Sequence, residues 1–351
     1  MATSESQKTW KSQIIILDGA MGTLLCDTTS PEASTSPLWS SADLLLKPER
    51  LSNIHKRYLS AGAIYISTAT YQLSRDSLLR GGISDEQRVR DIFAAGMRVA
   101  LEAARGFEVG GGGIADKAAV ALSLGPFGAC LQPSQEYSGI YPPPYDQDGQ
   151  TALQSLKEWH EQRLHMFQMG SPISFESLEL LAFETVPWKR LDEITAIREV
   201  VDSEVYRQKK AWISLVYPEA PDEEVVTRIV KEVFREIPSG SGPRGIGINC
   251  TKLDIARDIS KTYSKAVKEL GLLQKDIFLV IYPDGGLTYN VDTKTWSDES
   301  GIADAEKWSE LMVDIVKEAS EEGCWGSIMV GGCCKTTPHH IQKLSEKCSS
   351  F

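Results

Sequence analysis

Short, nearly continuous apolar or β-branched runs alternate along the chain with longer stretches whose apolar residues recur every three or four positions. The runs cover 14–17, 63–70, 118–124, 180–183, 211–217, 245–249, 277–282 and 327–330. Each is too short for a stable helix and lacks the in–out polarity of a half-exposed strand. Each therefore predicts a strand buried on both faces. The stretches between them predict helices over 48–61, 85–105, 151–169, 188–201, 222–237, 253–270, 303–321 and 338–347. Start signals support three of these: Ser84 before Asp85, Pro221 before Asp222 and Thr337 before Pro338.

Strand followed by helix, repeated around the chain, is the pattern of an α/β protein of the (β/α)8 TIM-barrel type. An open doubly wound sheet is the runner-up, but it would carry a Gly-rich phosphate loop after the first strand. Here that strand runs into Asp18-Gly19-Ala20-Met21-Gly22, which lacks the spacing. Such barrels need about 250 residues or more, so residues 1–351 are read as one domain, with 1–12 a flexible N-terminus. Three irregular stretches interrupt the alternation. Residues 26–47 and 123–150 follow strands and read as lid or substrate loops, or as plain surface connections. Residues 106–117, with four consecutive glycines, precede a strand and read as a solvated loop without chemistry.

Composition narrows the partners. With 37 Lys+Arg against 48 Asp+Glu, the net charge is −11. That balance argues against nucleic-acid or anionic-membrane surfaces, which reward clustered cations. No apolar run is long enough to span a bilayer, and the first residues lack a signal-peptide core. Seven cysteines, an odd number, point to thiols in a reducing compartment, so a cytoplasmic protein acting on small molecules is expected, with its oligomeric state left open and a monomer compatible with the sequence.

In a parallel barrel the loops after the strands gather on one face, where the chemistry is done. Unusual polar residues stand at those ends: Asp18-Gly19, Thr70-Tyr71, Glu184-Thr185, Asn249-Cys250, Asp284-Gly285-Gly286 and Gly331-Gly332-Cys333-Cys334. Cys250 and the Cys333-Cys334 pair sit two strands apart, close enough for their tips to converge. Adjacent residues on a straight strand face opposite sides, so both thiols of the pair reach one ion only if the chain turns. Gly331 and Gly332 are expected to supply the freedom for that turn. Three thiolates leave tetrahedral zinc one open position, the form of a catalytic site. Against this stand ordinary packing of small apolar side chains and a redox dithiol, though adjacent cysteines make a strained ring. Cys26, Cys130, Cys324 and Cys348 are assigned no chemistry, and none of the five histidines lies at a strand end. Asp18 and Glu184 are candidates to bind a ligand's ammonium or to act as acid and base. Their blander reading is as loop or helix caps.

Taken together, 16–25 (ILDGAMGTLL), 61–72 (AGAIYISTATYQ), 123–129 (SLGPFGA), 136–141 (EYSGIY), 183–187 (FETVP), 247–250 (GINC) and 331–341 (GGCCKTTPHHI) resemble the homocysteine S-methyltransferase family. The resemblance implies a barrel that binds Zn²⁺ through Cys250, Cys333 and Cys334. It implies that Asp18 contacts the amino acid part of homocysteine, that Glu184 binds its amino group, and that the backbone around Gly19 helps. Tyr71 resembles a tyrosine that approaches the metal in betaine-using relatives. The position after the cysteine pair is usually small, often Gly, and Lys335 departs from that. Betaine users carry a longer C-terminal extension and folate users are far larger. The resemblance thus points to the sulfonium branch, with S-methylmethionine or S-adenosylmethionine as donor and methionine as product. Trp39, Phe127, Tyr137, Tyr141 and Trp188 are aromatic candidates for the sulfonium. Two rival readings remain: a barrel hydrolase or lyase working through Asp18 and Glu184, and a non-catalytic barrel stabilised by zinc.

Overall fold

A computed structural model describes residues 12–28, 39–107, 117–146, 149–235, 242–272, 276–290, 295–298 and 301–350. Eight parallel strands form its centre: β1 (Gln13–Ile16), β2 (Tyr65–Ser67), β3 (Ala119–Leu124), β4 (Leu180–Pro187), β5 (Lys210–Val216), β6 (Gly245–Asn249), β7 (Phe278–Tyr282) and β8 (Ser327–Val330). They pair in the order β1-β8-β7-β6-β5-β4-β3-β2, and a bridge from Leu17 to Tyr65 brings the two ends together. The result is the TIM-type barrel that the alternation predicts. A two-stranded hairpin (Thr288–Asn290 with Thr295–Ser297) stands apart after β7.

All eight expected helices are present, within a few residues of their expected bounds. Four short ones went unread: Gly22–Thr28, Asp43–Leu46, Arg75–Arg80 and Pro172–Glu176. Asp85, not Ser84, caps the helix Glu86–Ala104, accepting from the Arg88 N–H at 2.8 Å. The glycine run of 106–117 and residues 1–11 lie outside the described residues, but Ser12 is buried and donates to the Trp325 carbonyl at 2.7 Å. That anchors the last residue of the segment expected to be flexible. Among the described residues no helix is long and apolar enough to cross a membrane.

Alternation along β6 shows how the barrel fills. Ile246 and Ile248 face the helical shell, while Gly245 and Gly247 face inward. Trp212 of β5 occupies the interior with Leu17, Ala121, Ala182, Val280, Tyr282 and Met329. Its indole N–H donates to the Tyr282 hydroxyl at 3.2 Å. A Cβ at Gly245 would lie 2.3 Å from the Phe278 ring and 2.7 Å from Trp212 Cβ. Neither neighbour is a floppy chain end. Gly245→Ala should therefore destabilise by roughly 1–3 kcal/mol through overpacking. The check is a lower urea midpoint at unchanged slope; an unaltered midpoint would mean that the interior yields.

Candidate metal and substrate site

The expected residues meet at the C-terminal mouth of the barrel. A cavity of about 240 Å³ is lined by Asp18, Gly19, Tyr71, Glu184, Cys250, Cys333 and Cys334, together with Glu136, Tyr137, Thr185, Tyr282 and Trp296. The sulfurs of Cys250, Cys333 and Cys334 all lie within 4.8 Å of one another, and among the described residues they are the one such metal-binding group. Cys250 and Cys333 are joined as a disulfide, with the free Cys334 thiol 3.8 Å from Cys250. The sulfurs drawn together are thus the long-range pair and not the vicinal Cys333-Cys334 pair. Taking up an ion here requires the pair to be reduced.

The turn that brings the sulfurs together is not made by the glycines. Gly331 and Gly332 have no left-handed backbone, contrary to expectation; they are needed because neighbours crowd them. A Cβ at Gly331 would sit 2.5 Å from the Asp18 carbonyl oxygen, and one at Gly332 would sit 2.4 Å from Thr336. Left-handed backbone falls instead on Thr185 (φ 59°), Cys250 (φ 48°) and Lys335 (φ 66°). These are the only such non-Gly residues described, and all adjoin the cavity, as strain at a working site does. A small residue or Gly after the cysteine pair is thereby explained, and Lys335 adopts the same conformation at some cost. Its N–H donates to Thr23 Oγ1 at 2.9 Å, and its amino group lies 5.0 Å from the centre of the Trp296 ring. Further bonds fix the loop: Cys333 N–H to the Pro283 carbonyl (2.7 Å), Gly285 N–H to the Cys334 carbonyl (2.8 Å) and Thr336 Oγ1 to the Cys333 carbonyl (2.7 Å).

Asp18 accepts from Ser67 N–H at 2.8 Å and Ser67 Oγ at 3.2 Å. Burial pushes its carboxyl up to about 8, opposed by the Ser67 N–H and reinforced by nearby Glu184. Glu184 stands where the pairing of β4 with β5 shifts register, between Phe183 and Val186. A bulge of this kind re-aims side chains. Burial pushes Glu184 up to about 7, against hydrogen bonds from Ser123 and Tyr282, and its Oε1 has no partner. The neighbouring Thr185 is held by Asn249, which accepts from Thr185 N–H at 2.8 Å and donates to its hydroxyl at 2.7 Å. Cys334 is pushed up to about 11 by burial, with Asp284 and Glu136 adding to the effect. Such a thiol stays protonated at neutral pH unless a cation ionises it. Together with the sulfurs of Cys250 and Cys333 in their reduced form, it makes a three-sulfur cluster that fits a thiophilic metal.

Behind the cavity lies a buried polar frame that periodicity alone does not reveal. Arg163, on the helix Gln150–Gly170, donates to the carbonyls of Thr70 (3.0 Å), Tyr71 (2.7 Å), Leu73 (2.8 Å) and Gly125 (2.6 Å). Glu193 accepts from Phe127 N–H (2.6 Å) and the Tyr141 hydroxyl (2.5 Å), and pairs with His160 (3.1 Å). These groups hold the loops after β2 and β3 in place. Of the five aromatic candidates, Tyr137 lines the cavity. Phe127 and Tyr141 pack with Trp159 in a cluster of their own, Trp188 packs against the main core, and the side chain of Trp39 lies outside the description. Trp296, Tyr282 and Glu136 are cavity residues to which no role was assigned from sequence. Cys130, Cys324 and Cys348 are buried apart from the sulfur cluster, while the side chain of Cys26 is outside the description.

Comparisons with known proteins show the family and the fold. Homocysteine S-methyltransferase 1 of Brassica oleracea var. italica is 30% identical over 343 residues, covering 94% of this chain and 92% of its own. A selenocysteine Se-methyltransferase of the same plant is 27% identical, covering 95% and 88%. Among solved structures, the oxidized form of the homocysteine methyltransferase MmuM from Escherichia coli superposes with a TM-score of 0.67 at 26% identity, covering 95% of this chain and 96% of that one. Its metallated form has the same fold at 24% identity and TM-score 0.67. The family model described as homocysteine S-methyltransferase matches residues 15–348, and the chain belongs to that family.

Proposed function

We propose that this protein transfers a methyl group from a sulfonium donor, S-methylmethionine or S-adenosylmethionine, to the thiol of L-homocysteine, giving methionine. The observation that carries the reading is the meeting of three sulfurs with two buried carboxylates in one small cavity. Cys250, Cys333 and Cys334, reduced, are the residues that would hold Zn²⁺. Zinc supplies an ionised acceptor at neutral pH, where a free thiol of pKa about 8.5 is mostly protonated. Asp18 and Glu184, near each other in the cavity wall, bind the acceptor's amino acid end and its ammonium, which leaves the acceptor's sulfur to reach the cysteines. The backbone around Gly19, where Tyr58 and Thr336 leave no room for a side chain, helps line the acceptor's end of the cavity. Tyr71, beside Thr185 and Glu184, closes the wall and excludes water. In the transfer, the acceptor sulfur's electron pair forms the new C–S bond. The donor's C–S pair stays with its sulfur, so a cation becomes a neutral thioether, and the acceptor's thiol proton has already left to solvent. Holding the two sulfurs in line is the protein's main contribution. Three thiolates persist in a reducing compartment, which suits the cytoplasm.

The test is methionine formation from homocysteine with each donor, with and without a chelator, beside zinc stoichiometry. One zinc per chain and activity that chelation removes and zinc restores are expected, with the melting temperature nearly unchanged because the ion sits at the barrel mouth. Unfolding on chelation would favour the zinc-stabilised barrel, and full activity without zinc the hydrolase or lyase reading.

A further inference from the structure

Glu136 is an unexplained group in the cavity. It is 8% exposed, lines the same wall as the cysteines, and its Oε2 has no hydrogen-bond partner. A buried carboxylate oxygen left unpaired is costly unless a ligand completes it. No Lys or Arg is among the described residues lining the cavity, while three carboxylates are. Two of those, Asp18 and Glu184, lie close enough to affect each other and share the Ser67, Ser123 and Tyr282 side of the cavity. Glu136 is not among the groups that act on either of them, and Tyr71 is near both Glu136 and Glu184. The hydroxyl of its neighbour Tyr137 bonds to Cys334 Sγ, and Glu136 itself is near enough to act on that sulfur. One acceptor ammonium satisfies the Asp18 and Glu184 pair. A second positive charge is needed for Glu136, at the sulfur end of the cavity.

We infer that Glu136, with the ring of Tyr137, binds the sulfonium charge of the methyl donor. This rests on the methyltransferase reading above. The sulfonium must come within about 3–3.5 Å of the acceptor sulfur to react, which places it beside the cysteine cluster, where Glu136 and Tyr137 are. Because the charge disappears in the transfer, the contact belongs to bound donor more than to the transition state. It strengthens donor binding and lets the neutral thioether leave.

The test compares wild type with Glu136→Gln, which keeps shape and drops charge, using S-methylmethionine as the probe. Calorimetric Kd and steady-state constants are measured for the zinc-loaded proteins, with melting curves to show that both are folded. Expected are a rise of tenfold or more in donor Kd and KM, kcat unchanged or higher, homocysteine KM within twofold, and partial recovery in Glu136→Asp. A residue that merely held the loop would lower kcat and weaken both substrates alike, and that result overturns the inference. Wild type making methionine while Glu136→Gln keeps full donor affinity overturns the Glu136 assignment alone. Wild type making none overturns the methyltransferase reading and this inference with it.

Discussion

Cys333→Ala removes zinc binding and methionine formation while the barrel stays folded. Cys333 lies just beyond β8, and its backbone is fixed by bonds its side chain does not make: its N–H to the Pro283 carbonyl and its carbonyl to the Thr336 N–H and hydroxyl. Removing the sulfur leaves those bonds; Cys333 packs only at the edge of the interior cluster around Trp212 and Val280 as a partly buried residue, so the loss of packing is small. Two sulfurs, Cys250 and Cys334 at 3.8 Å, remain, too few for a stable three-thiolate site. Transfer should fall by roughly three orders of magnitude or more, because ionisation and placement of the acceptor are lost together. Cys250→Ala and Cys334→Ala should behave alike. Bound zinc is measured directly, folding by circular dichroism, and turnover by methionine release. Substantial turnover in any of the three would sink the mechanism. Loss of fold in all three would move the cysteines from chemistry to stability.

The eight strands were legible because most, β4 and β6 throughout, are buried on both faces, so their apolar runs are continuous and short. The convergence of Cys250 with the Cys333-Cys334 pair was legible because parallel topology sends every strand end to one mouth. How the chain turns there was not. Gly331 and Gly332 look like hinges in sequence, yet they are small because the backbone after β1 and the Thr336 side chain pack against them. The left-handed turns sit on Thr185, Cys250 and Lys335, residue types that do not advertise such a conformation. Arg163 and Glu193 were hidden for a different reason. Charged residues inside an amphipathic helix read as solvated, and nothing local says that their partners are carbonyls, an amide, a hydroxyl and an imidazole 33 or more positions away. Glu136 was quoted within a motif, but no role could be attached to it until its oxygen was seen to lack a partner.

Asp18→Asn should make the empty protein more stable and the enzyme far worse. Asp18 is held up to about 8, chiefly by burial, against about 3.9 in an unfolded chain. Folding therefore prefers its neutral form. The penalty for ionising it is absent well below pH 4 and grows as pH rises, reaching its full size above pH 8. Glu184, held up to about 7 and adjacent, adds to the strain once both are charged. Asparagine keeps an acceptor for the Ser67 N–H and carries no charge. The melting temperature of Asp18→Asn should exceed that of wild type by about 2 °C or more at pH 8, with the gap closing as pH falls toward 4. Homocysteine reverses the balance, since its ammonium needs the carboxylate that folding disfavours. Losing one charged hydrogen bond of roughly 1.5–3 kcal/mol should raise the homocysteine KM by about 10–100-fold. Glu184→Ala should raise it similarly, with kcat less affected. In wild type, affinity for homocysteine should improve between pH 6.5 and 8 as the pair ionises, and in Asp18→Asn this improvement should flatten. A variant less stable than wild type at pH 8, or one with unchanged KM, would show that Asp18 serves the loop and not the ligand.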